Sequence, residues 1–364
     1  MKINFNKIKN NFKNKYIIFF AIFLLIVSVS FFIDHKIKTK AQKDSLVLND
    51  HEIQIKDSNL EKVIRLAIRK PIGKLRLRDV VDIKKLDASN KSIQNLEGIE
   101  NLFSLQELDL TDNEIDDISA LSSIKDISIL KLGKNKITDI KSLKNCSKLK
   151  ELYLFDNKVI DITPLKNFEQ MYILDLNRNH VADISILPTL KNLKEIYLHK
   201  NGVIDFKPIL EMQQLTIVNL AGNNFTDMKD INQLKNLIEL YIGDNGIKDV
   251  TFLKSMSNLK VLDVSNNKIT DMNSISNLNG IEELNASSNY IRDIKILENF
   301  KNLSKVDLRY NNIRNIEPLK NCKQLSEVFV DKDVDIRPIE KMKNQLKNAD
   351  SYTKAKLLNK EIFK

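Results

Sequence analysis

Ten asparagines recur at an unbroken spacing of 22 residues: Asn113, Asn135, Asn157, Asn179, Asn201, Asn223, Asn245, Asn267, Asn289 and Asn311. Each sits in the frame Leu-x-x-Leu-x-Leu-x-x-Asn-x-Ile-x-Asp-Ile, as residues 105–118 show. A chain that repeats one short unit this strictly folds every unit alike and stacks the copies, because no single unit can bury its apolar face alone. The period predicts an α/β solenoid of about twelve turns. Each turn contributes one short strand to a parallel sheet on the concave face, with short helical turns on the convex side. Such a fold offers an extended surface and no catalytic pocket by default.

Within a turn, the slots typified by Leu105, Leu108, Leu110, Ile115, Ile118 and Leu121 are expected to point inward. The asparagine side chain both donates and accepts, so it can satisfy backbone groups where the chain leaves the strand. Its copies are expected to form a structural ladder with no ligand. Asp117, Asp139, Asp161, Asp183, Asp205, Asp227, Asp249, Asp271 and Asp293 make a second column. A row of calcium sites is one reading, but neither a Gly-rich calcium nonapeptide nor an EF-hand loop is present. Capping of the helical turn that follows is the simpler one, and no metal or other cofactor is expected. Cys146 and Cys322 share one slot of the repeat, eight periods apart. Strands stacked about 4.8 Å apart would hold the thiols roughly 40 Å from each other. A disulfide needs Cα atoms within about 7 Å, so both thiols should serve as small buried apolar groups.

The ends differ from the body. The formal net charge of +10 resides in residues 1–50 (nine Lys, three acidic) and 338–364 (seven Lys, three acidic), which leaves residues 51–337 neutral. A neutral solenoid lacks the basic stripe that nucleic-acid binding requires. Residues 1–15 read as a basic cytoplasmic N-terminus, and residues 16–33 carry no charge. Eighteen apolar positions just reach the length that crosses a bilayer, and the lysines before them favour an N-terminus in the cytoplasm. A transmembrane signal anchor fits this length better than a cleaved signal peptide, whose core is shorter. Either assignment puts the repeats outside the cytoplasm, as a single-pass membrane protein or, after cleavage, a secreted one. Residues 34–50 read as a stalk and 51–82 as a helical cap. In the cap, Ser58 and Glu61 suggest a capping box, the helix presents Leu60, Val63, Ile64, Ala67 and Ile68 on one face, and Pro71 and Gly73 end it. Repeats occupy 83–338; Lys91 and Asp333 replace the asparagine in the first and last. Residues 339–364 read as a helical C-terminal tail.

In Leu105-x-x-Leu108-x-Leu110, residues 107, 109 and 111 face away from the buried leucines, because side chains alternate along a strand. The first of these positions alternates acidic and aliphatic down the stack: Glu107, Ile129, Glu151, Ile173, Glu195, Ile217, Glu239. The second includes Tyr153, Asp175, Tyr197, Tyr241 and Phe329; Phe155, His199 and Arg309 occupy the third. Tyr153, Tyr197 and Tyr241 recur every 44 residues, a spacing that duplication of a two-repeat unit also explains. Packing does not demand rings that face away from the core, whereas aromatics on a concave face are efficient binding anchors. Tyr153, Phe155, Asp175, Tyr197, His199, Tyr241, Arg309 and Phe329 are the candidate partner-binding residues.

The segments Leu132-Gly-Lys-Asn-Lys-Ile-Thr-Asp-Ile140 and Leu86-Asp-Ala-Ser-Asn-Lys-Ser-Ile-Gln-Asn-Leu-Glu-Gly-Ile99 resemble the internalin-like leucine-rich repeat proteins of Gram-positive bacteria. Asn59-Leu-Glu-Lys-Val-Ile-Arg65 is similar to their N-terminal helix. The resemblance spans roughly residues 51–340. It implies a right-handed leucine-rich repeat solenoid used to bind host or envelope proteins. It does not extend to an immunoglobulin-like module or a Leu-Pro-x-Thr-Gly signal, so host-cell invasion is not carried over. Intracellular phosphatase-regulatory subunits share the 22-residue class and supply the alternative, against which residues 16–33 count. Catalysis is not expected: no nucleophile is placed to use His199, and Glu107 and its equivalents line an open surface that should not raise a carboxylate pKa much. The sequence therefore describes a monomeric, non-catalytic module that binds a protein ligand.

Overall fold

The computed structural model describes residues 50–166 and 168–340. The basic N-terminus, the apolar span 16–33, most of the stalk and all of the tail beyond residue 340 lie outside the described residues. Among the described residues no helix is long and apolar enough to cross a membrane.

Twelve three-residue strands form one parallel sheet in chain order. They are β1 (Lys85–Asp87), β2 (Glu107–Asp109), β3 (Ile129–Lys131), β4 (Glu151–Tyr153), β5 (Ile173–Asp175) and β6 (Glu195–Tyr197), followed by β7 (Ile217–Asn219), β8 (Glu239–Tyr241), β9 (Val261–Asp263), β10 (Glu283–Asn285), β11 (Lys305–Asp307) and β12 (Glu327–Phe329). Register advances by 22 residues per strand, as Lys85↔Glu107 and Glu107↔Ile129 show. The convex side carries short 3-10 turns such as Ser119–Ser123 and Lys141–Asn145. Leu105, Leu108, Leu110, Ile115, Ile118 and Leu121 are all buried, as are their counterparts through Leu319 apart from the half-buried Phe206. Both cysteines are fully buried and free, and burial pushes each thiol up to about 11.

The asparagine ladder is built from backbone partners alone. Asn157 donates to the carbonyls of Leu132 (2.8 Å), Leu154 (2.9 Å) and Phe155 (3.3 Å), and its Oδ1 accepts from Ile137 N–H at 3.0 Å. One amide thus ties its own turn to the turn before it, and the pattern runs from Asn113 to Asn311. The residue before each asparagine has left-handed backbone: Asp112, Lys134, Asp156, Arg178, Lys200, Asp244, Asn266, Ser288 and Tyr310 have φ between 50° and 60°, and Gly222 has 68°. Each aspartate of the second column accepts the N–H two residues on, from Asp117 (Ser119, 2.8 Å) to Asp293 (Lys295, 2.8 Å). That bond leads into the helical turn that follows, 3-10 in most repeats and α-helical after Asp205, and accounts for one carboxylate oxygen of each.

The ends depart from the sequence-based expectation in instructive ways. Helix α1 (Ser58–Ala67) is capped by Asp57, not Ser58. One Asp57 oxygen accepts from Asn59 and Leu60 N–H (2.8 and 3.1 Å), and the other from Gln94 and Asn95 N–H (2.8 and 3.3 Å). A serine hydroxyl is too short to cap the helix and hold the first repeat together. Glu61 closes no capping box; it accepts from Arg65 Nε at 2.8 Å. Leu60, Val63 and Ile64 are buried but Ala67 is exposed. The helix stops at Ala67, four residues before Pro71, where Arg65 takes the carbonyls of Lys70 and Gly73 (3.2 and 2.9 Å). Asp50, placed with the stalk, pairs with Arg76 at 2.5 Å, the residue that precedes α2 (Leu77–Val80). Cap residue Ile55 lies so close to Gly98 (φ 104°) that any Cβ there would stand 2.9 Å from its Cα. A third helix, α3 (Lys207–Leu210), replaces the usual 3-10 turn in one repeat, and α4 (Arg337–Glu340) follows the last strand. At that end Asp331, rather than Asp333, closes the ladder, accepting from Tyr310 N–H (2.9 Å) and Asn311 N–H (3.4 Å).

Candidate concave interface

Strand alternation sets this face. Every strand from β2 to β9 has a buried central residue between two half-buried ones. The outer pair and the residue two positions after the strand's last residue make three columns across the sheet.

The three tyrosines lie in the middle column, and the expectation that they are exposed needs correction. Tyr153, Tyr197 and Tyr241 are half-buried. Each hydroxyl donates to the glutamate two residues earlier on its own strand: Glu151 Oε2 at 2.9 Å, Glu195 Oε2 at 3.0 Å and Glu239 Oε2 at 2.7 Å. Parallel strands sit only about 4.8 Å apart, so neighbouring side chains cover part of each ring that a lone strand would expose. Burial and the glutamate bond both push the phenols well above their ordinary range. Sequence reasoning separated Glu151, Glu195 and Glu239 from the tyrosines; the shared 44-residue spacing was the signal that joins them.

Asp175 stands directly between Tyr153 and Tyr197 in register. Its Oδ1 accepts from Asn177 N–H at 2.9 Å. Burial nevertheless raises its carboxyl to about 6, with Asp156 adding to the rise while Asn177 and Arg178 oppose it. Asp175 lies in the middle column, between the strands that carry Tyr153 and Tyr197. Beside it, Phe155 lies over Gly133: a Cβ at that glycine would meet the ring at 2.3 Å. His199 is fixed by its N–H to Asn177 Oδ1 (2.8 Å) and by Nδ1 against Ala221 O (3.2 Å). Burial, with Lys200 adding, holds its imidazole below the ordinary value. At the rim, Arg178 forks onto both oxygens of Asp156, which holds that carboxylate below its usual range.

Arg309 and Phe329 belong to a second place. Tyr241 on β8 and Phe329 on β12 are four strands, roughly 19 Å, apart. Arg309 grips Asp307 with two nitrogens and stacks 5.1 Å over the Phe329 ring. The eight candidates thus divide into a central band on β4–β8 and a terminal cluster on β11–β12. Among the described residues no group of three or more His, Cys, Asp or Glu is arranged to hold a metal ion. A hollow of about 620 Å³ lies in the cap, lined by residues such as Glu52, Arg65 and Glu97, away from this face.

Comparison with known proteins agrees with this architecture. Leucine-rich repeat families match residues 125–167, 235–280 and 257–300, as paired repeats, and 101–122, as a single one. The crystal structure of an internalin, InlF, from Listeria monocytogenes is 30% identical, with a TM-score of 0.67, and the match covers 81% of this chain and 94% of that one. A leucine-rich repeat protein of Leptospira interrogans is 28% identical over 69% of this chain and 73% of its own, with a TM-score of 0.59. The functional domain of InlJ from Listeria monocytogenes shares the fold at 22% identity and a TM-score of 0.65, over 80% of this chain and 64% of its own. No curated protein sequence matches this one.

Proposed function

The chain belongs to the internalin-like leucine-rich repeat proteins, and we propose that it is a non-catalytic module that binds a protein partner through the central band of its concave face. Leucine-rich repeat proteins are interaction modules, and here the band supplies what an interface needs. Three amphipathic rings stand at two-strand intervals, held in place by Glu151, Glu195 and Glu239. That ordered row of half-buried tyrosines is the observation that carries the assignment. Their hydroxyls are already bonded, so little rotamer freedom is lost when a partner lands on the ring faces. We place the module on the outer side of the cytoplasmic membrane, with the uncharged residues 16–33 as its anchor.

Crosslinked capture with the full chain tests the interface. A partner held by wild type and lost by the folded Tyr153→Ala/Tyr197→Ala/Tyr241→Ala variant is expected; equal capture would sink the assignment. Protease added to intact cells should cut the repeats without permeabilisation. Digestion only after permeabilisation would move the module inside the cell.

A further inference from the structure

Charge is distributed unevenly along the concave face. Toward the ends, each basic side chain on the face has an acidic partner: Lys85 with Glu107 (2.6 Å), Lys131 with Asp109 (3.2 Å), Lys305 between Glu283 (3.8 Å) and Glu327 (4.0 Å), and Arg309 with Asp307. Between them, β4–β9 present Glu151, Asp175, Glu195, Glu239 and Asp263 and not one Lys or Arg in the three facing columns. Among the described residues none of these five carboxylates forms an ion pair with a Lys or Arg. Lys150 and Lys194 precede two of the glutamates by one residue and so leave on the other side of the chain. A half-buried run of carboxylates without cations is costly unless something positive completes it.

The molecule contains its own example of the completed arrangement. Asp307 and Phe329 are register neighbours in the middle column. Asp307 Oδ1 accepts the N–H two residues on (3.1 Å), and the guanidinium of Arg309 fills the space between carboxylate and ring. Asp175 and Tyr197 are register neighbours in the same column. Asp175 Oδ1 accepts its N–H two residues on in the same way, but Asn177 stands where the arginine would be. The seat of carboxylate and aromatic ring is repeated, and the nearest guanidinium, that of Arg178, is forked onto Asp156 rather than seated in it.

We propose that the β4–β8 band seats an extended segment of the partner protein bearing Arg or Lys at every third residue. One cationic side chain would lie beside each of the pairs Glu151–Tyr153, Glu195–Tyr197 and Glu239–Tyr241. This rests on the concave-face assignment above and adds the partner's chemistry to it. The spacing follows from geometry. Successive pairs are two strands apart, about 9.6 Å, and a polyproline II chain advances about 9.3 Å in three residues. Each hydroxyl occupies one oxygen of its glutamate, which leaves the other oxygen and the ring face to the incoming cation. A cation beside Asp175 would favour its charged form, so binding should tighten as pH rises from 5 to 7.

The test uses the full chain and a fluorescent peptide of five Pro-Pro-Arg repeats, with Pro-Pro-Glu repeats and a peptide holding its five arginines in one block as controls. The Pro-Pro-Arg peptide should bind, weaken with added salt, and bind at least about tenfold more weakly to Glu151→Gln/Glu195→Gln/Glu239→Gln and to Asp175→Asn. Both substitutions keep side-chain size and hydrogen-bond acceptors, and an unchanged thermal midpoint or a raised one confirms folding. Equal binding of Pro-Pro-Glu, or unaltered binding by both variants, overturns the cationic assignment; equal binding of the block peptide overturns the every-third-residue spacing. A captured partner that the tyrosine variant loses but the glutamine variant retains leaves the concave interface standing and overturns only the cation. Retention by both overturns both.

Discussion

The asparagine column and the middle column of the concave face lie four residues apart in every repeat, yet one is uniform over ten turns and the other changes at almost every turn. The difference lies in what each side chain touches. Asn157 and its copies bond only backbone atoms of their own and the preceding turn, and the backbone is the same in each turn. Tyr153, Asp175 and Tyr197 meet other side chains and solvent, so each position answers to its neighbours. Bonds that tie one turn to the next are concentrated in the first column, and the side-chain chemistry that varies between turns in the second.

Removing a ladder amide should do the most damage. Asn179→Ala would leave the N–H of Val159 without its acceptor and take one of two bonds from the carbonyls of Leu154, Leu176 and Asn177, which keep Asn157, Asn201 and Asp156 N–H, at a cost of about 2–4 kcal/mol. Urea unfolding beside Tyr197→Ala measures it, and an equal or larger loss for the tyrosine variant would break the division between columns. Asp57 extends the comparison to the end of the stack, where a carboxylate binds backbone N–H groups of helix and first repeat together. Asp57→Ala should lose about 1–2 kcal/mol and speed hydrogen exchange at Leu60 and Gln94. Burial works to raise this carboxyl, but the amides of Gln94, Leu60, Asn59 and Asn95 outweigh it and hold it low. Its contribution is therefore present above the ordinary carboxylate range and lost as pH falls through the depressed value; in the variant that acid-side loss should be smaller.

The smallest expected effect has the opposite sign. Asp175 is raised to about 6, so its charged form costs stability above that pH, and the cost disappears once the group protonates. Asp175→Asn keeps the acceptor for Asn177 N–H and should stabilise the fold by about 1 kcal/mol at pH 8, after allowance for screening on an open face. At pH 4 its thermal midpoint should match wild type. A midpoint lowered at pH 8 would show that Asp175 serves the fold rather than a ligand.

Repeat number, strand positions and the aspartate turns were legible because each depends on contacts within one 22-residue unit or its identical neighbour. The ends were less so. Asp57 and Ser58 are both good caps by local chemistry; the choice fell to Asp57 because Gln94 and Asn95, 37 and 38 residues away, share its carboxylate. Likewise Asp331, not the in-period Asp333, closes the last turn, because that turn is shortened and its backbone no longer follows the period. On the face, the candidates were legible as residues pointing outward, but not their division into two clusters or the pairing of each tyrosine with its glutamate.

What the sequence determined alone was the solenoid: a strict period leaves only one way for twelve similar turns to bury their leucines. What the tertiary structure decided was the environment of the outward side chains. Half-burial of the tyrosines, the raised carboxyl of Asp175 and the filled seat of Arg309 between Asp307 and Phe329 all arise between residues about 22 apart in sequence. Strand spacing, rather than local sequence, sets how much water reaches them.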